Sequence, residues 1–200
     1  MTKSLDFIFD FGSPNAYLAW HGLQPILSRT GAELDILPCL LGGIFKLTGN
    51  QAPGMAFANV TGKIDYERLE MMRFIKLHGL SKFQMNPHFP VNTLLLMRGA
   101  IAAKESGVLD DYVKAGLAAM WETGANMSDP DVYAAVMTKA GLDGAALLSS
   151  TQDPAVKSNL AENTDAAVAR GVFGVPTFFV GEEMFFGKDR LDQVEAALSA

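Results

Sequence analysis

The chain contains one cysteine, Cys39, in 200 residues. A single thiol cannot close an intrachain disulfide, and it cannot assemble a cysteine-based metal site. The composition suits a reducing compartment, and cytoplasmic residence is the expectation. Cys39 itself reads as a small buried apolar residue. Histidine is almost as scarce: His21, His78 and His88 show no metal-like spacing and no paired nucleophile, so none is assigned a catalytic role. Positive charge is in deficit. The formal net charge is −6 and no run of Lys and Arg stands out, which argues against nucleic-acid and membrane partners and leaves small-molecule chemistry. An anionic substrate would then need a local cation or a helix N-terminus at the site itself. No apolar run approaches the roughly 18 residues of a membrane span. Residues 1–11 alternate polar and apolar, unlike the unbroken apolar stretch of a signal peptide.

What is present is an ordinary globular composition, 49% hydrophobic and 19% charged. A chain of this size buries enough surface to fold without disulfide or metal staples. Residues 4–11 place Leu5, Phe7, Phe9 and Phe11 on one strand face and Asp6, Ile8 and Asp10 on the other. Gly12-Ser13-Pro14 is a turn into a first helix, with Ser at the N-cap and Pro at the first helical position, running to about Arg29 and ending near Gly31. Residues 33–40 read as a second strand whose end Pro38 demotes to an edge or bulge. Residues 41–62, rich in Gly, Pro, Asn and Thr, read as a long loop or irregular segment, of a kind that is often functional. Helical spacing then fits residues 64–78, 90–106, 110–122, 130–140, 143–149 and 155–169. Two short β-prone runs, 177–180 and 184–186, flank a hairpin signal, and 189–199 is a closing helix.

Strand, helix, strand, helical block, strand, strand, helix is the order of an α/β, thioredoxin-like fold carrying an inserted all-helical domain. The expected division is 1–45 with 170–200 for the thioredoxin-like domain and 46–169 for the insertion with its substrate-site loop. In such folds the turn after the first strand carries the reactive group, because the helix N-terminus there favours a thiolate. Where a dithiol oxidoreductase has two cysteines, this turn has Ser13 and Ala16. Redox chemistry through the protein's own thiols is excluded. A Ser13 hydroxyl can instead donate to a bound thiolate, whose thiol has a free pKa of about 8.5; Ser13 also reads simply as a helix cap. The second landmark is Val175-Pro176, directly before the third strand. A cis proline there would let Val175 pair its backbone with an extended peptide ligand; an ordinary loop-to-strand proline is the plainer alternative.

The segments Asp10-Phe11-Gly12-Ser13-Pro14, Leu41-Gly42-Gly43-Ile44-Phe45-Lys46, Phe89-Pro90-Val91-Asn92-Thr93, Gly171 to Phe178, and Phe186-Gly187-Lys188-Asp189-Arg190 together resemble the 2-hydroxychromene-2-carboxylate isomerase family. Its kin are the kappa-class glutathione transferases and the DsbA-like disulfide oxidoreductases with a helical insertion. The resemblance implies glutathione as cofactor, its thiolate near Ser13, its backbone paired at Val175 and Pro176, and its γ-glutamyl end held by Phe186, Gly187, Lys188 and Asp189. The Asp189 carboxylate would face the ligand's ammonium; Asp189 also reads as the N-cap of the last helix. Lys188 departs from the smaller polar residue expected there, which leaves its backbone role and puts its side chain in doubt.

The implied reaction interconverts 2-hydroxychromene-2-carboxylate and trans-o-hydroxybenzylidenepyruvate in aromatic catabolism, in a cytoplasmic homodimer. Lys46 and Asn50 would line the substrate site from the long loop, and Phe83 and Phe89 would wall a pocket for a small aromatic acid. Each has a plainer reading, as a solvated lysine, a turn asparagine or core packing. Lys63, with Tyr66, Glu70 and Arg73, forms a polar helix face and ranks below Lys46. The rival activities are a kappa-like transferase acting on small electrophiles and a non-catalytic thioredoxin-like binding module.

Overall fold

The first strand, β1 (Ser4–Phe9), turns Leu5, Phe7 and Phe9 to one face and Ile8 to the other, and all four side chains are buried. A strand that is apolar on both faces needs cover on both sides. The computed structural model, which describes residues 3–200, shows that cover. β1 pairs in parallel with β2 (Glu33–Pro38) and antiparallel with β3 (Thr177–Val180), and β3 turns into β4 (Glu183–Phe186), giving the order β2-β1-β3-β4. The parallel pair requires a crossover, made by α1 (Pro14–Thr30), and α10 (Leu191–Ser199) packs beside α1. On the opposite face, α2 (Leu41–Thr48) and α9 (Pro154–Ala169) meet Ile8, and a second cluster forms from Ile8, Cys39, Ile44, Val175 and Phe179.

Between α2 and α9 lie α3 (Pro53–Ala56), α4 (Lys63–Leu77), α5 (Leu94–Glu105), α6 (Leu109–Trp121), α7 (Pro130–Lys139) and α8 (Gly144–Ser150). The starts of α7, α8 and α9 are local choices: Asp129, Asp143 and Asp153 each accept backbone N–H groups of the first turn. The block packs into the same core as the sheet. Gly116 on α6 lies so close to Phe11 that a Cβ there would stand 2.5 Å from the ring. The architecture is a thioredoxin-like α/β fold with a helical insertion. No helix among the described residues is long and apolar enough to cross a membrane.

Two stretches differ from the sequence expectation. Residues 41–62 are not one long loop, because α2 and α3 lie within them. Paired glycines argue against a helix locally, but α2 is held by tertiary partners. Leu41 N donates to Asp10 Oδ2 at 2.7 Å, Leu40 N donates to Thr164 Oγ1 at 3.0 Å, and Gly43 sits where a Cβ would be 3.1 Å from Thr164 Cγ2. The helix expected from residue 90 begins at Leu94, after a cis Phe89-Pro90 bond, with Asn92 Oδ1 accepting from Leu94 N at 3.0 Å.

Candidate active site

β1 ends at Phe9, and the chain reverses through Asp10, Phe11, Gly12 and Ser13 into α1. Ser13 has extended backbone angles, and its Oγ accepts from Ala16 N at 3.3 Å, so it is the N-cap. The same hydroxyl donates to Val175 O at 3.3 Å, which ties the turn after β1 to the proline loop 162 residues away in sequence. The Val175-Pro176 bond is cis. Ser13 is nearly buried, with 6% of its surface exposed.

From Val175 a series of contacts continues through the other expected residues. Gly187 N donates to Pro176 O at 2.9 Å, and Gly187 adopts φ 90°, a left-handed conformation that favours glycine. Phe186 covers Gly174, where a Cβ would lie 3.1 Å from the ring, and packs on Phe173 at 4.5 Å between centroids. Asn50 joins from the far side, its Nδ2 donating to Phe173 O at 2.7 Å. Asp189 does not cap the last helix: α10 is preceded by Arg190 with no side-chain cap bond, and the Asp189 carboxylate instead pairs with Lys188 Nζ at 2.5 Å. Lys188 is buried. Ser13, Val175, Pro176, Phe186, Gly187, Lys188, Asp189 and Asn50 thus form one connected array.

Lys46 stands exposed in the last turn of α2, one turn before Asn50, and outside these contacts. Lys63 pairs with Glu67 at 2.6 Å and lies over the Phe57 ring, the solvated helix face of the plainer reading. Phe83 and Phe89 come together on Trp121, at 6.1 and 6.0 Å between centroids. The Trp121 indole N–H donates to Phe11 O at 2.9 Å, so this aromatic group abuts the Ser13 turn. Cys39 is buried, as expected, and burial pushes its thiol up to about 12. Two shallow cavities, about 100 and 300 Å³, open along β2 and α9 and contain none of the candidate residues. The hydrogen-bonded array is therefore the candidate site.

Three residues beside this array were given no site role from the sequence. Asp10, placed by alternation on the polar strand face, is wholly buried: Oδ1 accepts from Gly12 N at 2.8 Å, Oδ2 from Leu41 N at 2.7 Å, and Thr93 adds a side-chain bond. Burial pushes its carboxyl above the usual range, and these three donors offset only part of that rise. It links the turn after β1, α2 and the start of α5. Tyr17, one turn after Ser13, donates to Glu122 Oε1 at 3.1 Å; burial first and Glu122 second push its hydroxyl well above the ordinary value, so it stays a donor. Its i+4 spacing from Ser13 was the available signal. Trp121 had none, since its partner Phe11 is 110 residues away.

A family model described as a DSBA-like thioredoxin domain matches residues 4–199. A 2-hydroxychromene-2-carboxylate isomerase from Pseudomonas sp. (strain C18) is 33% identical over 196 residues, covering 97% of this chain and 89% of that protein. Human glutathione S-transferase kappa 1 is 26% identical over 212 residues, covering 96% of this chain and 89% of that one. A solved structure of 2-hydroxychromene-2-carboxylate isomerase superposes with a TM-score of 0.84 at 30% identity, covering 98% of this chain and 94% of that one.

Proposed function

We propose, from the premise that this chain belongs to the DSBA-like thioredoxin domain family and within it to the 2-hydroxychromene-2-carboxylate isomerases, that it interconverts a chromene carboxylate and its open benzylidenepyruvate with glutathione as cofactor. The observation that carries this reading is near full-length similarity to such isomerases in both sequence and structure. It is supported by a reactive turn with serine in place of cysteine, so that the sulfur nucleophile must come from a cofactor.

Glutathione when bound supplies a thiolate that adds to the conjugated double bond. The net reaction would break the hemiketal ring C–O bond, with the hydroxyl proton passing to the phenol oxygen, and change the adjacent double bond from cis to trans with the cofactor regenerated, so that no atom or electron is gained or lost. The chain's own task is to hold the sulfur ionised. The Ser13 proton is directed at Val175 O in the described structure. A ligand amide N–H that takes over Val175 O releases that proton for the sulfur, so that peptide pairing and thiolate stabilisation become one event. Lys46 and Asn50 would meet the substrate's carboxylate, and Phe83 and Phe89 its ring. A homodimer working in the cytoplasm in aromatic catabolism belongs to the same reading.

A second reading, a kappa-like transferase acting on small electrophiles, is favoured by the similarity to human kappa 1. The two are separated by turnover. Purified protein is expected to isomerise the chromene carboxylate only when glutathione is present, with no glutathione consumed. Stoichiometric loss of glutathione would favour the transferase, and isomerisation at the same rate without it would remove the cofactor from the mechanism.

A further inference from the structure

α6 ends at Glu122, which sets a carboxylate beside the free carbonyl groups of a helix C-terminus, a place that favours cations. The side chain is nonetheless turned inward and is 19% exposed. Its Oε1 accepts from the Tyr17 hydroxyl at 3.1 Å, while Oε2 accepts no hydrogen bond among the described residues and stands 3.9 Å from Nζ of Lys82, itself 81% exposed. His21, the other titratable group packed here, meets the Tyr17 ring edge-on at 4.5 Å; burial holds it below the usual range, so it brings no charge to the carboxylate. The Tyr17 ring lies 5.6 Å from that of Phe83, and Trp121, on which Phe83 and Phe89 both pack, directly precedes Glu122. The carboxylate therefore borders the aromatic group on one side and the helix that begins at Ser13 on the other. Helix stability gives no reason for an acid at this end. A carboxyl oriented by a tyrosine, with one oxygen left open beside an aromatic wall, is placed to exchange a proton with a ligand.

We propose that Glu122 is the catalytic acid–base for the oxygen chemistry of the isomerisation, moving the proton between the hemiketal hydroxyl and the phenol oxygen, with Tyr17 as its positioning residue. The inference rests on the reading above, in which the substrate's ring stands on Phe83 and Phe89. In ring opening, Oε2 takes the hydroxyl proton and the O–H electron pair becomes the second bond of the ketone. The ring C–O pair leaves onto the phenol oxygen, which then receives the proton from Glu122. Closure runs the same steps backward, so the carboxyl is unchanged over a cycle. The two substrate oxygens sit on one carbon, so a single carboxyl serves both. Tyr17 keeps Oε1 occupied and leaves Oε2 to the substrate, and Lys82 offsets the repulsion between Glu122 and an anionic acid. The glutathione thiolate acts on the double bond, so the two tasks fall to separate groups.

The test gives the full chain, with glutathione, two substrates: the chromene carboxylate, and cis-benzylidenepyruvate without the ring hydroxyl, which can change its double-bond geometry but has no phenol proton to move. Glu122→Gln keeps the shape and an acceptor for Tyr17 while removing the proton site. It should slow ring opening and closure by about 10²-fold, the lower end of general acid–base catalysis, and leave the rate on the second substrate unchanged. Tyr17→Phe should lower only the first rate, by about tenfold, the scale of one hydrogen bond to a charged group. In both variants the thiolate absorbance of the glutathione complex should titrate as in wild type, which separates this role from one exercised through Ser13. Without any variant, wild-type ring opening should slow more in deuterium oxide than turnover of the second substrate. Equal isotope effects overturn the inference, as do equal losses on the two substrates or full ring-opening activity in Glu122→Gln. Wild type that turns over neither substrate with glutathione overturns the isomerase reading beneath it, and the inference with it.

Discussion

At Ser13 one hydroxyl serves two neighbours, accepting from Ala16 N and donating to Val175 O. A cap alone is worth about 1 kcal/mol, so as a cap only, Ser13→Ala would lower stability by that amount and leave turnover unchanged below the melting range. As donor to a thiolate its loss does more. The bound thiol's pKa should rise, each unit being about 1.4 kcal/mol of lost preference for the anion, and the rate should fall by roughly 10²-fold, the scale of one preorganised donor. Thiolate absorbance of the glutathione complex against pH, measured with the isomerisation rate, decides between the two. Identical titrations and rates for wild type and Ser13→Ala would reduce the residue to a helix cap. Asp10 shows the same dependence on neighbours. Its alternation with Phe9 and Phe11 marks a solvated position, but α2 lies over it and converts a surface carboxylate into a buried three-way tie.

At the scale of elements, glycines record which helices are positioned by their neighbours. Gly42 on α2 has open space, with nothing within 4 Å of where a Cβ would stand, and its φ is not left-handed. Gly42→Ala should therefore stabilise the protein by about 0.5–1 kcal/mol, the usual gain of alanine over glycine within a helix. Gly99 on α5 is the opposite case, since a Cβ there would lie 2.1 Å from the Tyr133 hydroxyl and 2.2 Å from that of Tyr112. Those hydroxyls are bonded to each other at 3.2 Å, and Tyr112 also donates to Leu96 O at 2.8 Å. Gly99→Ala should cost about 1–3 kcal/mol by overpacking that crossing of α5, α6 and α7. Denaturant midpoints for the two variants check both. A destabilising Gly42→Ala would count against a helical α2, and a neutral Gly99→Ala against the close crossing.

At the scale of the whole molecule, the insertion and the sheet share one core. Phe11 presses on the backbone of α6, Trp121 of α6 bonds back to Phe11 O, and Trp20 of α1 and Trp121 lie in one continuous cluster. A shared core predicts shared unfolding. Tryptophan fluorescence and far-ultraviolet dichroism should report the same denaturant transition, because Trp20 and Trp121 are the chain's two indoles, one in each part. Separate transitions would mean that the helical insertion unfolds on its own.

The order of strands and helices was legible in the sequence because it rests on local periodicity, capping by Asp129, Asp143 and Asp153, and proline and glycine at helix ends. The same holds for the turn after the first strand, where Ser13-Pro14 states both the helix start and the absence of a thiol. Only the tertiary structure decided the rest. It made residues 41–48 a helix against their glycines, buried Asp10, set Trp121 behind Phe83 and Phe89, and turned Lys188 inward onto Asp189. Each of those outcomes depends on a partner far away in sequence or on what covers a face. Local periodicity carries no information about either, because it records which side of an element a residue occupies and not what stands opposite.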